Sequence, residues 1–183
     1  MDRREALKLT AWILGIPIIG SQTFLSSCAN PKIQNEPFDE TYIELLNVLA
    51  DAILPETQKS LGAKQANVGA FILFIVRDCY TEEETQIFLK GLEHLNYDSI
   101  EKHHKELINL DTKKLIQLLL KYDKEAQFME KNSMPHFYTM LLQLTIWGYF
   151  ISEPGATQAL RYNPTPGHYI GCIPYSNNQP AWA

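Results

Sequence analysis

The chain has 183 residues, 45% of them apolar, with 21 acidic side chains against 16 Lys and Arg and a net charge of −5. Its length and apolar share suit one domain large enough to bury a real core. No Lys/Arg cluster stands out beyond the first residues, which excludes a nucleic-acid partner, because phosphate binding needs a concentrated basic surface.

The first 28 residues are organised as an address. Arg3 and Arg4 sit just inside the start, an uncharged stretch runs from Leu9 to Leu25, and Leu25-Ser26-Ser27-Cys28 closes it. Paired arginines, a modest apolar segment and small residues before a cysteine predict an export signal ending in a lipid-attachment site. The arginine pair resembles the twin-arginine motif, whose pathway carries folded proteins, and the Cys28 segment resembles the lipobox of bacterial lipoproteins. The competing reading is a transmembrane anchor. However, residues 9–25 are at the short edge of what spans a bilayer, and Gly15, Pro17, Gly20, Ser21, Gln22 and Thr23 interrupt them. Cleavage before Cys28, with acylation of its thiol and new amino terminus, is therefore expected. This puts the chain on the periplasmic side of a bacterial cell envelope. One acyl chain holds a protein only marginally, so firm anchoring needs the several chains of a mature lipoprotein.

Residues 1–27 carry three basic and two acidic side chains, so their removal takes the net charge from −5 to −6. Apart from Cys28, the cysteines are Cys79 and Cys172. In an oxidising compartment two alternatives stand open for them: one disulfide closing a long loop, or two buried free thiols. Residues 28–37 read as the lipid-attachment site and a polar tether with two prolines, Pro31 and Pro37.

A helical domain is expected over residues 38–151. Tyr42, Leu45, Leu46, Leu49 and Ile53 follow helical spacing, and Pro55 stops that helix. Residues 55–67 read as a polar loop. Residues 68–80, almost wholly apolar up to Arg77, predict a buried helix. Thr81 with Glu84 forms a capping box opening a helix that carries Phe88, Leu92 and Leu95. A separate helix is expected over residues 97–110. Asp111 suits an N-cap, followed by Leu115, Leu118, Leu119 and Tyr122. Pro135 suits the first turn of a last helix bearing Phe137, Met140, Leu141, Leu144 and Trp147.

Residues 152–183 differ. They hold five of the ten prolines and three of the nine glycines, with Tyr162, Tyr169, Tyr175 and Trp182. Such a stretch cannot be a regular helix, yet it is too aromatic for a disordered tail. It reads as an extended arm packed either on its own helices or on another protein.

Little in the chain suggests chemistry. No Gly-rich phosphate loop or nucleophile elbow occurs, and no Cys/His spacing fits a metal. Adjacent His103 and His104 point about 100° apart on a helix, which suits a solvated face rather than a shared metal. Asp51 and Glu56 form a weak acid/base pair at best. His168, among Pro166, Gly167 and Tyr169, is the best single polar candidate, with a structural hydrogen bond as its simpler role. Arg161 suits an ion pair or a stack on an aromatic ring.

Three segments stand out together: Ala50 to Thr57 with Gly62, Ala63 and Val68; Trp147 to Gly155; and Leu160 to Tyr175, ending near Trp182. Together they resemble the gluconate 2-dehydrogenase subunit 3 family, the small subunit of membrane-bound flavin-dependent sugar and alcohol dehydrogenases. The resemblance implies a noncatalytic escort that binds no cofactor itself. Its partner is a large FAD-bearing subunit without an export signal, carried folded across the membrane, and electrons usually leave through a separate cytochrome c subunit. On this reading partner binding falls to Trp147, Arg161, Tyr162, His168, Tyr169, Tyr175 and Trp182. The competing function is a stand-alone envelope lipoprotein binding another protein or ligand. An enzyme in its own right is a third, and the missing cofactor motif speaks against it.

Overall fold

Every regular element among the described residues of the computed structural model is helical. The structure describes residues 40–129, 135–165, 167–168, 171–172, 174, 176–177 and 179–182. Among them are five α-helices, α1 (Glu40–Ile53), α2 (Val68–Asp78), α3 (Glu82–His103), α4 (Thr112–Met129) and α5 (Phe137–Ile151), with a 3-10 turn at Leu107–Asn109 and a π-helical turn at Gly155–Ala159. No strand occurs among the described residues; a single bridge pairs Arg161 with Trp182. The export and lipidation positions, Arg3, Arg4 and Cys28, lie outside the described residues. No helix among those described is long and apolar enough to cross a membrane.

α1 ends two residues before Pro55 and packs along α2. The seam is close because position 69 is glycine: a Cβ there would lie 2.5 Å from the Ile43 carbonyl oxygen. Asn47 fastens the same seam. Its Oδ1 accepts from the Gly69 N–H at 2.8 Å, and its Nδ2 donates to Asn67 Oδ1 at 3.1 Å. Asn67 itself takes the left-handed conformation before α2, which asparagine tolerates better than most residues.

The capping box forms as expected. Thr81 Oγ1 accepts from the Glu84 N–H, and Glu84 returns a carboxylate to the Thr81 N–H at 2.9 Å. Those bonds hold the Glu84 carboxyl below its usual range. The next expectation is corrected: instead of a break near Tyr97, α3 runs unbroken for 22 residues to His103. Nothing between Leu92 and His103 can stop a helix, since neither Gly nor Pro occurs there. Asn96 accepts from the Leu107 N–H at 3.1 Å, and buried Ser99 donates to the Lys105 carbonyl at 2.8 Å, so both fold the 3-10 turn back onto α3. His104, at φ 52°, is the true stop.

α4 buries Leu115, Leu118, Leu119, Tyr122 and Ala126. Its Lys121 donates to Asp98 of α3 at 2.7 Å, and Lys102 reaches the same oxygen at 3.3 Å. Hydrogen bonding to Lys121 holds the Asp98 carboxyl below its usual range and raises the Lys121 ammonium.

α5 lies at the centre and touches all four other helices. Its start also corrects an expectation: Pro135 precedes the cap, and His136 is the cap, its ring Nδ1 accepting from the Tyr138 N–H at 3.2 Å. Partial burial lowers the His136 pKa and opposes the effect of Glu125, which favours the neutral ring that can accept this bond.

Candidate functional site

α5 reads Phe-Tyr-Thr-Met-Leu-Leu-Gln-Leu-Thr-Ile-Trp-Gly-Tyr-Phe-Ile, with no charged residue. One side buries Phe137, Met140, Leu141, Leu144 and Tyr149. Thr145, also buried, satisfies its hydroxyl by donating to the Leu141 carbonyl at 2.7 Å. A helix apolar all round normally has partners all round. Here the last turns are open: Trp147 is 53% exposed and Ile151 58%.

α2 extends this face. Phe71 meets the Trp147 ring edge-on, with centroids 5.4 Å apart and planes at 86°. Gly148 makes room for it, since a Cβ there would sit 2.5 Å from the Phe71 ring. One turn along α2, Phe74 is 53% exposed. The helix expected to be buried is therefore buried on one side only, through Val68, Ile72, Ile75 and Val76. Phe71, Phe74, Trp147 and Ile151 form an apolar aromatic face across the α2–α5 seam.

The loop between α1 and α2 is locked to the end of α5. The Tyr149 hydroxyl donates to the Leu61 carbonyl at 2.7 Å, and the Leu61 N–H donates to Gln158 Oε1 at 3.0 Å. Two of the sequence segments singled out above, Ala50–Val68 and Trp147–Gly155, are thereby joined in space. The proposed Asp51–Glu56 pair is not assembled as an acid/base couple. Glu56 accepts from Gln65 Nε2 at 2.9 Å, while Asp51 Oδ1 is buried beside Gly62 without a hydrogen-bond partner.

The arm begins later than expected. Residues 155–159 wind one π-helical turn that packs on α5, and the irregular stretch starts at Leu160. From Arg161 on, every described residue is exposed. The alternative in which the arm packs on its own helices therefore does not describe these residues. Arg161 takes the stacked option: its guanidinium lies 4.1 Å from the centre of the Trp182 ring, and its N–H donates to the Ala181 carbonyl at 2.7 Å. These contacts bring Arg161 beside Ala181 and Trp182, closing a loop at its base, and present Tyr162 and Trp182 to solvent. An exposed cation–π stack is worth about 0.5–1 kcal/mol, enough to bias the loop closed. His168 is exposed, with no hydrogen-bond partner among the described residues. Tyr169 and Tyr175 lie outside them. Cys79 and Cys172 are both free and exposed. No three His, Cys, Asp or Glu side chains gather to hold a metal among the described residues.

Trp147, Arg161, Tyr162 and Trp182 are thus placed at the surface, and Phe71 and Phe74 join Trp147 where sequence reasoning had put only core. The class these features define is an all-helical interaction domain with an exposed aromatic face. The particular family follows from comparison with known proteins: residues 40–167 match the model for gluconate 2-dehydrogenase subunit 3, and the chain belongs to that family. It is accordingly an accessory-subunit type of a dehydrogenase complex. The match ends at Gly167, short of the arm's remaining aromatic residues. No curated protein and no solved structure matches the chain.

Proposed function

We propose that this chain is the noncatalytic small subunit of a periplasmic, FAD-dependent sugar or alcohol dehydrogenase. It binds the large flavoprotein subunit, accompanies it folded through twin-arginine export, stabilises it, and holds it at the membrane through lipid on Cys28. FAD belongs to the large subunit, and electrons leave through a cytochrome c subunit. One observation carries the reading: the central helix, which has no charged residue, keeps Trp147 and Ile151 open to solvent in its last turns. Exposed aromatic surface of this kind marks protein interfaces, whose energetic centres favour Trp and Tyr. The arm adds a second contact, with Tyr162 and Trp182 held at the base of a closed loop and its prolines limiting the entropy lost on binding.

The physical logic of escort is that a flavoprotein folds around FAD in the cytoplasm, so a folded-protein pathway must export it and one signal serves both chains. Changing Arg3→Lys together with Arg4→Lys is expected to leave this chain and the large subunit in the cytoplasmic fraction. In contrast, Cys28→Ala is expected to let both cross but to abolish acyl labelling and slow the removal of residues 1–27. Fractionation with acyl labelling reads both variants. A large subunit that reaches the periplasm normally in the arginine variant would show that it needs no escort.

A further inference from the structure

A second exposed apolar face lies on α4 and differs in chemistry from the first. Leu120 is 52% exposed and Phe128 86%, with Ile116 at the margin of the same face. Together with Gln117, Lys121, Lys124 and Glu125, Leu120 and Phe128 line a shallow groove along the helix. At about 100° per residue, Lys113 and Lys124 fall on this outward face, eleven residues apart and nearly in line. No run of basic residues announces this in the sequence; the helix assembles it.

The two acidic residues of α4, one of which, Glu125, borders the groove, both have partners on the same helix. Asp123 accepts from Gln127 at 2.9 Å, and Glu125 lies 3.6 Å from Lys121. Lys121 is itself held by Asp98. Lys113, Lys114 and Lys124 have no ion-pair partner among the described residues. A chain of net charge −5 therefore places an unpaired cation, Lys124, one turn from Phe128, the most exposed large apolar side chain among the described residues, and a second, Lys113, farther along the same face.

We propose that this face of α4 rests on an anionic phospholipid surface, with Phe128 and Leu120 in the interface and Lys113 and Lys124 at the headgroups. The inference rests on the reading that Cys28 tethers the chain to a membrane. The mixture of residues selects lipid over protein. Lysine is depleted from protein interfaces, whereas at a bilayer its stem covers apolar surface while its ammonium meets phosphate. The α2–α5 face, with Trp and no lysine, has the opposite character. Contact on α4 orients the domain and leaves α2–α5 free for the large subunit.

The test uses the full chain on vesicles of phosphatidylcholine alone or mixed with phosphatidylglycerol. Cosedimentation reports the N-terminal attachment, and amine acylation read by mass spectrometry reports the face. On mixed vesicles Lys113 and Lys124 should become protected relative to the loop lysines Lys59 and Lys64, each favouring the bound state about fivefold. High salt should reverse the protection. Leu120→Asp with Phe128→Asp, both at exposed positions, should keep helicity and cosedimentation but abolish the protection. Equal labelling of Lys113 and Lys124 on both vesicle types, with the chain cosedimenting, overturns the proposal and leaves the anchor intact. Failure to cosediment at all overturns both. Protection of the same lysines by the large subunit without lipid assigns the face to protein and overturns it as well.

Discussion

Changing Phe74→Asp and Trp147→Asp together is expected to release the large subunit while the chain stays folded. Both side chains are half exposed, so the substitutions remove little core. The main local loss is the edge-on contact between Phe71 and Trp147, worth about 0.5–1.5 kcal/mol. At an interface the effect is far larger. Hot-spot aromatics cost about 2–4 kcal/mol on truncation, and a buried unpaired carboxylate adds its own desolvation penalty. The pair should weaken binding by at least about a thousandfold. Pull-down of the coexpressed subunits measures this, with circular dichroism on the variant alone to establish that the helices survive. Deleting residues 161–183 should weaken binding less, because the arm supplies a second contact rather than the central face. If the deletion alone abolishes binding and the double variant does not, the interface belongs to the arm.

The largest loss of stability is expected at the middle of α5. Leu141 is fully buried in the helix that touches all four others. Truncation to alanine removes apolar contacts on several sides at once, and the surroundings cannot collapse around one seam without opening another. Leu141→Ala should cost about 2–5 kcal/mol, the range for buried leucines. Chemical denaturation should show a lower midpoint with an unchanged slope. At the exposed positions Leu120 and Phe128, truncation to alanine should shift stability far less. A similar loss at Phe128 and at Leu141 would contradict the assignment of α5 as the structural centre.

Much of this architecture was legible from residue spacing. The apolar repeat of α4 names its buried residues, that of α1 names Leu46 and Leu49 with Tyr42, Leu45 and Ile53 only partly buried, and that of α5 holds except at exposed Trp147; the Thr81–Glu84 pair marks the start of α3. What could not be read has physical causes. An apolar run such as α2 carries no polar stripe to reveal its outward side, so Phe74 passed as core; only the packing of α5 across Phe71 shows it. The continuity of α3 depends on Asn96 and Ser99, whose side chains reach residues 107 and 105 instead of ending the helix where they stand. His136 caps α5 through a ring nitrogen, a role that sequence patterns assign to Ser, Thr, Asp or Asn. The candidate site was half visible. Trp147, Arg161, Tyr162 and Trp182 were singled out by type and location. The stacking of Arg161 on Trp182 joins residues 21 positions apart through an irregular chain, and no periodicity encodes that.

Side-chain footprinting of the native assembly tests the central claim most directly. The chain, purified with whatever it binds from its own cell envelope, is oxidised by hydroxyl radicals, and the same chain alone serves as reference. The account predicts that a flavin-bearing large subunit copurifies in fixed ratio and that Phe74 and Trp147 are shielded in the complex. In detergent, away from lipid, Phe128 should remain as reactive as in the free chain. A chain isolated alone, or a flavoprotein complex in which Phe74 and Trp147 oxidise as fast as in the free subunit, would contradict it.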